Sequence, residues 1–181
     1  VKLGARRNGV ESEHQRRDAC EEMRYADGTA RLRVATAASG AELVKNLGAC
    51  LAGDWYVLYV LLVAHTENRP GRYQSPPIQS YDGVTALLDR YRDFLAGDGR
   101  HHRWLGSTGG QGMIVYDHHN VLHCYGPLAR YRDTLRGFPP GPIILPAPHA
   151  HHFHAEFALA ERQLLDEWNW TWFPLSPDDD P

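Results

Sequence analysis

Nine apolar or aromatic residues follow one another in Trp55-Tyr-Val-Leu-Tyr-Val-Leu-Leu-Val63. A helix that crosses a membrane needs ~20 such residues. The run is rich in Val and Tyr, and Gly53-Asp54 precedes it. A polar, Pro/Gly-rich segment follows. This pattern predicts a fully buried strand at the centre of a sheet. Successive strand side chains point to opposite faces. Trp55, Val57, Tyr59, Leu61 and Val63 therefore share one face, and Tyr56, Leu58, Val60 and Leu62 the other. Both faces are apolar, so helices are expected over both.

The neighbouring patterns supply those helices. Residues 30–34 alternate, with Leu32 and Val34 against Arg31 and Arg33, which predicts a half-exposed strand near a sheet edge. Ser39-Gly-Ala-Glu42 has the form of a capping box. Leu43, Val44, Leu47, Cys50 and Leu51 then recur at helical spacing, so the first unit reads β–α–β. Ser80 or Asp82 opens a second amphipathic helix that carries Val84, Leu87, Leu88, Tyr91, Phe94 and Leu95 as far as Gly97. Residues 101–105 read as a strand. Residues 113–116 and 121–125 read as a hairpin about Asp117-His-His-Asn120. A short helix follows Gly126-Pro127. A proline-hemmed edge strand over 143–145 comes next, then a last helix through Trp168. Trp170 and Trp172 alternate on a short strand after it. The fold class is α+β: one domain over residues 23–175, with a mixed sheet, a central strand at 55–63 and about four helices.

The ends differ from this middle. Residues 1–24 hold six Lys/Arg and five Asp/Glu with little to bury, so residues 1–22 are expected to be a disordered or loosely helical extension. The first residue is Val. A non-AUG start or a true start at Met23 accounts for that. Residues 176–181 read as a frayed acidic tail.

Net charge is −3, which gives no electrostatic case for nucleic acid or an anionic membrane. Cys20, Cys50 and Cys124 are odd in number and widely spaced. They point to free thiols in a reducing compartment, hence a cytoplasmic protein.

Histidine is the unusual residue. Eleven are present, and seven of them lie between His118 and His154, close enough in sequence to share a site. A zinc-class divalent ion needs three or four converging N, O or S ligands. In an extended chain His149 and His151 share one face, and His152 and His154 the other. Asp117, His118, His119 or Glu156 complete the set if the hairpin turn packs beside them. The spacing matches no established zinc motif.

The other constellations are weaker. Gly106-Ser-Thr-Gly-Gly-Gln-Gly112 lies between strands and lacks a following GK[ST], so it reads as a hairpin loop. Ser107 lacks a nucleophile elbow. Trp168, Trp170, Trp172 and Phe173 read as packing, as does Cys124. The irregular stretch 65–80 carries Arg69, Arg72, Tyr73 and Gln74, which have the reach to contact a protein partner.

Two functions fit. One is a non-enzymatic protein-binding or regulatory domain, of the bacterial immunity kind, with no cofactor; it requires less. The alternative is a metal-dependent, hydrolase-like enzyme centred on His149, His151, His152 and His154. Stoichiometric metal separates them.

Overall fold

Alternation, more than helical periodicity, sets the architecture. The computed structural model describes residues 2–7, 10–13, 17–64 and 67–179, with the backbone alone for 6, 7 and 10–13. The strands of the first half are β1 (Leu3–Arg7), β2 (Val10–Glu13), β3 (Ala19–Arg24), β4 (Ala30–Ala35), β5 (Trp55–Leu61) and β6 (Gly71–Gln74). Those of the second half are β7 (His101–Ser107), β8 (Met113–Tyr116), β9 (Val121–Tyr125), β10 (His149–His151) and β11 (Thr171–Phe173). The helices are α1 (Gly40–Gly48), α2 (Tyr81–Arg90), α3 (Arg92–Gly97), α4 (Leu128–Thr134) and α5 (Ala158–Asp166). The larger sheet has eight strands in the order β11-β6-β5-β7-β8-β9-β4-β3. The smaller has three, β10-β1-β2. The fold is α+β. Among the described residues no helix is long and apolar enough to cross a membrane.

Every ladder between these strands is antiparallel. The expected β–α–β unit exists, but β7, β8 and β9 stand between β4 and β5. An even number of antiparallel steps leaves β4 and β5 parallel without pairing them. Strand β5 is interior, flanked by β6 and β7. Its Val57, Tyr59 and Leu61 join the buried residues of all five helices in one cluster. Leu58 and Val60 are buried outside that cluster, so among the described residues the five α-helices pack on one face of the sheet. On the other face Leu58, Trp104, Val115, His123 and Arg33 lie side by side in register. Most of that row is half-exposed.

Several expectations need correction. The N-terminal segment is neither disordered nor helical where it is described. Leu3 is fully buried in β1, and β3 is the edge strand of the main sheet. Strand pairing uses the backbone and needs no apolar stripe. In β3, Cys20 packs inward while the Glu21 carboxylate accepts from Arg33 across the strands at 3.0 Å. Met23 lies inside β3. The stretch 65–80 is not all loop, because it holds β6; residues 65 and 66 lie outside the described residues.

The helix expected over 80–97 is two helices. Tyr91 leaves helical geometry between them, at φ −107° and ψ 18°. Ser80 caps α2 by accepting from the Asp82 amide. Ser39 begins α1, but its side chain makes no cap bond, and Glu42 turns to Lys45 and Arg92 instead. Residues 143–145 form no strand; the edge pairing belongs to β10. The acidic tail is anchored as far as Asp179. That side chain is buried and accepts from Arg72 Nε at 2.8 Å and Nη2 at 2.7 Å. Opposite charge and two parallel hydrogen bonds outweigh fraying. Residues 180 and 181 lie outside the described residues.

Candidate metal centre

The β8–β9 turn is built by Asp117 and Asn120. The Asp117 Oδ1 accepts from the His119 and Val121 amides at 2.9 and 2.8 Å. Asn120 takes a positive φ of 60°, which Asn tolerates better than most residues. Its side-chain oxygen accepts from the Tyr116 hydroxyl at 2.8 Å. The turn is thereby fixed, and it carries His118 and His119 out from the sheet.

His151 reaches the same place by a longer route. Strand β10 pairs with β1, which sets His151 opposite Leu3. The His152 amide donates to the Lys2 carbonyl at 2.9 Å. Gly99 allows the close approach, since a Cβ there would stand 2.8 Å from the Lys2 carbonyl oxygen and 3.1 Å from the His151 Cβ.

Three imidazoles converge as a result. His118, His119 and His151 each offer a ligand atom, and these atoms lie within 4.8 Å of one another. Their ring centres are 3.9 Å apart for His118–His119, 4.3 Å for His118–His151 and 5.0 Å for His119–His151. Nitrogens held ~2 Å from one ion at tetrahedral angles stand roughly 3.4 Å apart. Closing the set around an ion would take side-chain rotations that shorten these separations.

Orienting partners surround the three rings. The Asp117 Oδ2 faces His119 Nδ1 at 3.6 Å and His123 Nε2 at 3.1 Å. That leaves His119 Nε2 for a metal, in the carboxylate–imidazole–metal arrangement that fixes ring and tautomer. His118 Nδ1 meets His102 Nε2 in a short hydrogen bond, and the two rings stack at 4.5 Å. With Nδ1 engaged there, His118 also presents Nε2.

The electrostatics suit neutral ligands. Burial first, then His102, His119 and His151, pushes His118 down to about 2. Burial also lowers His102 to about 4. Metals bind the neutral imidazole. For Asp117 burial alone would raise the carboxyl, but the His119 and His123 imidazoles beside it outweigh that and hold it well below the usual carboxylate range.

The other expected ligands stand elsewhere. His149 is exposed at the rim, its ring 5.2 Å from His119 and 5.4 Å from His151, and its Nδ1 lies 2.9 Å from the Pro146 carbonyl. His152 and His154 stack on each other at 6.3 Å, and His154 Nδ1 turns to Glu156 at 3.5 Å. Asp117 orients rings and is outside the converging set.

His102 was missed by sequence reasoning. The polar run His101-His102-Arg103 at the start of an otherwise apolar strand was the signal, because alternation must bury at least one of its histidines. The expected partner-binding residues are mostly engaged internally. Arg72 holds Asp179, Arg69 lies 3.7 Å over the Trp172 ring, and the Tyr73 hydroxyl donates to the Arg69 carbonyl. Gln74 is exposed on β6. Ser107 donates to the Ala52 carbonyl at 2.7 Å, and Cys124 is fully buried.

The chain matches no family model, no curated protein and no solved structure.

Proposed function

We propose that the protein binds a zinc-class divalent ion on His118, His119 and His151, and that the bound ion serves metal-dependent hydrolysis. The observation that carries this is the convergence of three ligand atoms from two distant segments. Three imidazoles with a fourth position open to solvent or substrate is a donor set typical of catalytic zinc. Such an ion supplies a Lewis acid and an activated water near neutral pH. The residues of the chain supply orientation: Asp117 sets His119, and His102 sets His118.

Elemental analysis of protein purified without a tag tests the site. About one equivalent of zinc is expected after loading and dialysis. His119→Gln and His151→Gln should each lose it, while His152→Gln, one residue away but outside the set, should keep it. Equal retention by His151→Gln and His152→Gln would remove the proposed site. Hydrolysis of model phosphate and carboxylate esters that disappears with the metal would support the activity.

The sheet face free of helices favours a second reading, a protein-binding or regulatory domain. Tyr56, Trp104, Met113 and Tyr125 are half-exposed there. A preparation that takes up no stoichiometric metal would favour this reading over the enzyme.

A further inference from the structure

Arg103 follows His102 on β7 and points to the helix-covered face. It is only 3% exposed, and Nε, Nη1 and Nη2 are all buried without a hydrogen-bond partner. Its guanidinium lies 4.6 Å from the centre of the Tyr116 ring. The Lys2 ammonium lies 4.4 Å from the centre of that same ring. Lys2 is fully buried, and among the described residues its amine hydrogen-bonds to the Asp117 carbonyl, at 3.4 Å. His101 is also fully buried, and neither ring nitrogen has a partner.

Among the described residues, no unengaged carboxylate balances this group. Of the carboxylates that act on Lys2, Asp117 is engaged by His119 and His123, and Asp98 by Arg100. Burial, then Arg103, pulls Lys2 well below its ordinary range. Burial, then Lys2 and Arg103, does the same to His101. Burial brings Arg103 down only to about 10, so it is still a cation at neutral pH. An unpaired buried guanidinium is strongly disfavoured, and a domain has little net stability with which to offset it.

The first turn of α1 adds to the same field. A Cβ on Gly40 would meet the Tyr116 ring at 2.4 Å, so the start of that helix presses on the ring that Arg103 and Lys2 share. Beside it the Ser39 hydroxyl is buried without a partner. A helix N-terminus favours negative charge.

We propose that Arg103, Lys2 and His101 bind one phosphate-class oxyanion, enclosed between the main sheet, β1 and the first turn of α1. The guanidinium fork matches two oxygens of either a carboxylate or a phosphate. The ammonium and the imidazole N–H come from other elements or positions and ask for oxygens outside that plane, which a tetrahedral anion supplies. This site is independent of the metal centre and is tested without it.

The experiment uses the full chain, stripped of metal on a chelating resin and held in chloride buffer. Thermal melting is followed against sodium phosphate, sodium acetate and sodium chloride at equal ionic strength. Binding to the folded state raises the melting temperature saturably, whereas general salting effects do not saturate and do not depend on one side chain. Phosphate is expected to give a saturable rise of several degrees in the wild type and none in Arg103→Met, with Arg103→Lys between them. If the anion is retained through purification, ion chromatography of acid-denatured wild type shows about one phosphate per chain instead. That measurement also decides the matter should Arg103→Met fail to fold. Equal responses in wild type and Arg103→Met would overturn the site. So would a wild type that neither responds nor releases an anion. A saturable response to acetate without one to phosphate would overturn the phosphate class.

Discussion

Arg100 and Arg103 stand three residues apart, are almost equally buried, and live in opposite surroundings. Arg100 is 1% exposed and wrapped in carboxylates. Its Nε and Nη2 donate to Asp98 at 2.8 and 2.7 Å, and its Nη1 to Glu161 of α5 at 2.9 Å. Arg103, at 3%, has no hydrogen-bond partner for its guanidinium among the described residues and shares its ring with the buried Lys2 amine. A charge whose partners are all on its own chain is part of the scaffold. A charge without them implies something from outside. The difference separates structural from functional burial better than burial itself does.

Methionine at each position is the direct way to break the comparison. Arg100→Met strands two fully buried carboxylates and is expected to lower stability by about 3–5 kcal/mol, read as a denaturant midpoint at constant slope. A loss below about 1 kcal/mol would place Arg100 in the same class as Arg103.

Strand β1 gives the next largest effect. Leu3 is fully buried in β1, next to Lys2. Leu3→Ala should remove about 2–4 kcal/mol. It should also weaken metal binding, since β1 holds His151 in place. A Leu3→Ala protein that melts with the wild type would show β1 to be a loose attachment.

Arg103→Met gives the smallest change. In chloride buffer free of phosphate it is expected to lie within about 1 kcal/mol of wild type, or above it, because an unpaired charge gives way to an apolar chain of similar length. A loss as large as that of Arg100→Met would mean that the cation–π contact with Tyr116 fully satisfies the guanidinium.

The pattern of the chain carried the fold further than it carried the site. The β5 strand, the β8–β9 hairpin and its Asp117–Asn120 turn follow from alternation and turn chemistry, which are local. The break at Tyr91 does not, because the apolar stripe continues through it to Phe94 and Leu95. The N-terminal strands were hidden by their charge. Lys2 is fully buried and Glu21 is paired across strands, and a one-dimensional pattern reads both residues as solvated. For the site, the histidine count pointed to the cluster, and His118, His119 and His151 were among the residues it singled out. The choice of His151 over His152 rests on which face of β10 turns toward the hairpin turn. That is fixed by pairing with β1 and is invisible without it. Asp117 was expected as a ligand and instead orients His119, because its oxygens are already committed within its own turn.

The pairing of β1 with β10 closes a long loop, with most of the described fold between Leu3 and His151. Contacts so distant in sequence form late, after the loop they close has been organised. The hairpin that carries His118 and His119 is local and is available early. During synthesis β1 must wait for its partner until β10 has emerged. Two imidazoles are therefore ready long before the third, and at the proposed site tight metal uptake would become possible only when β1 and β10 meet. Followed during refolding, metal capture by all three rings would act as a clock for the closing step, lagging behind the signals of the eight-stranded sheet.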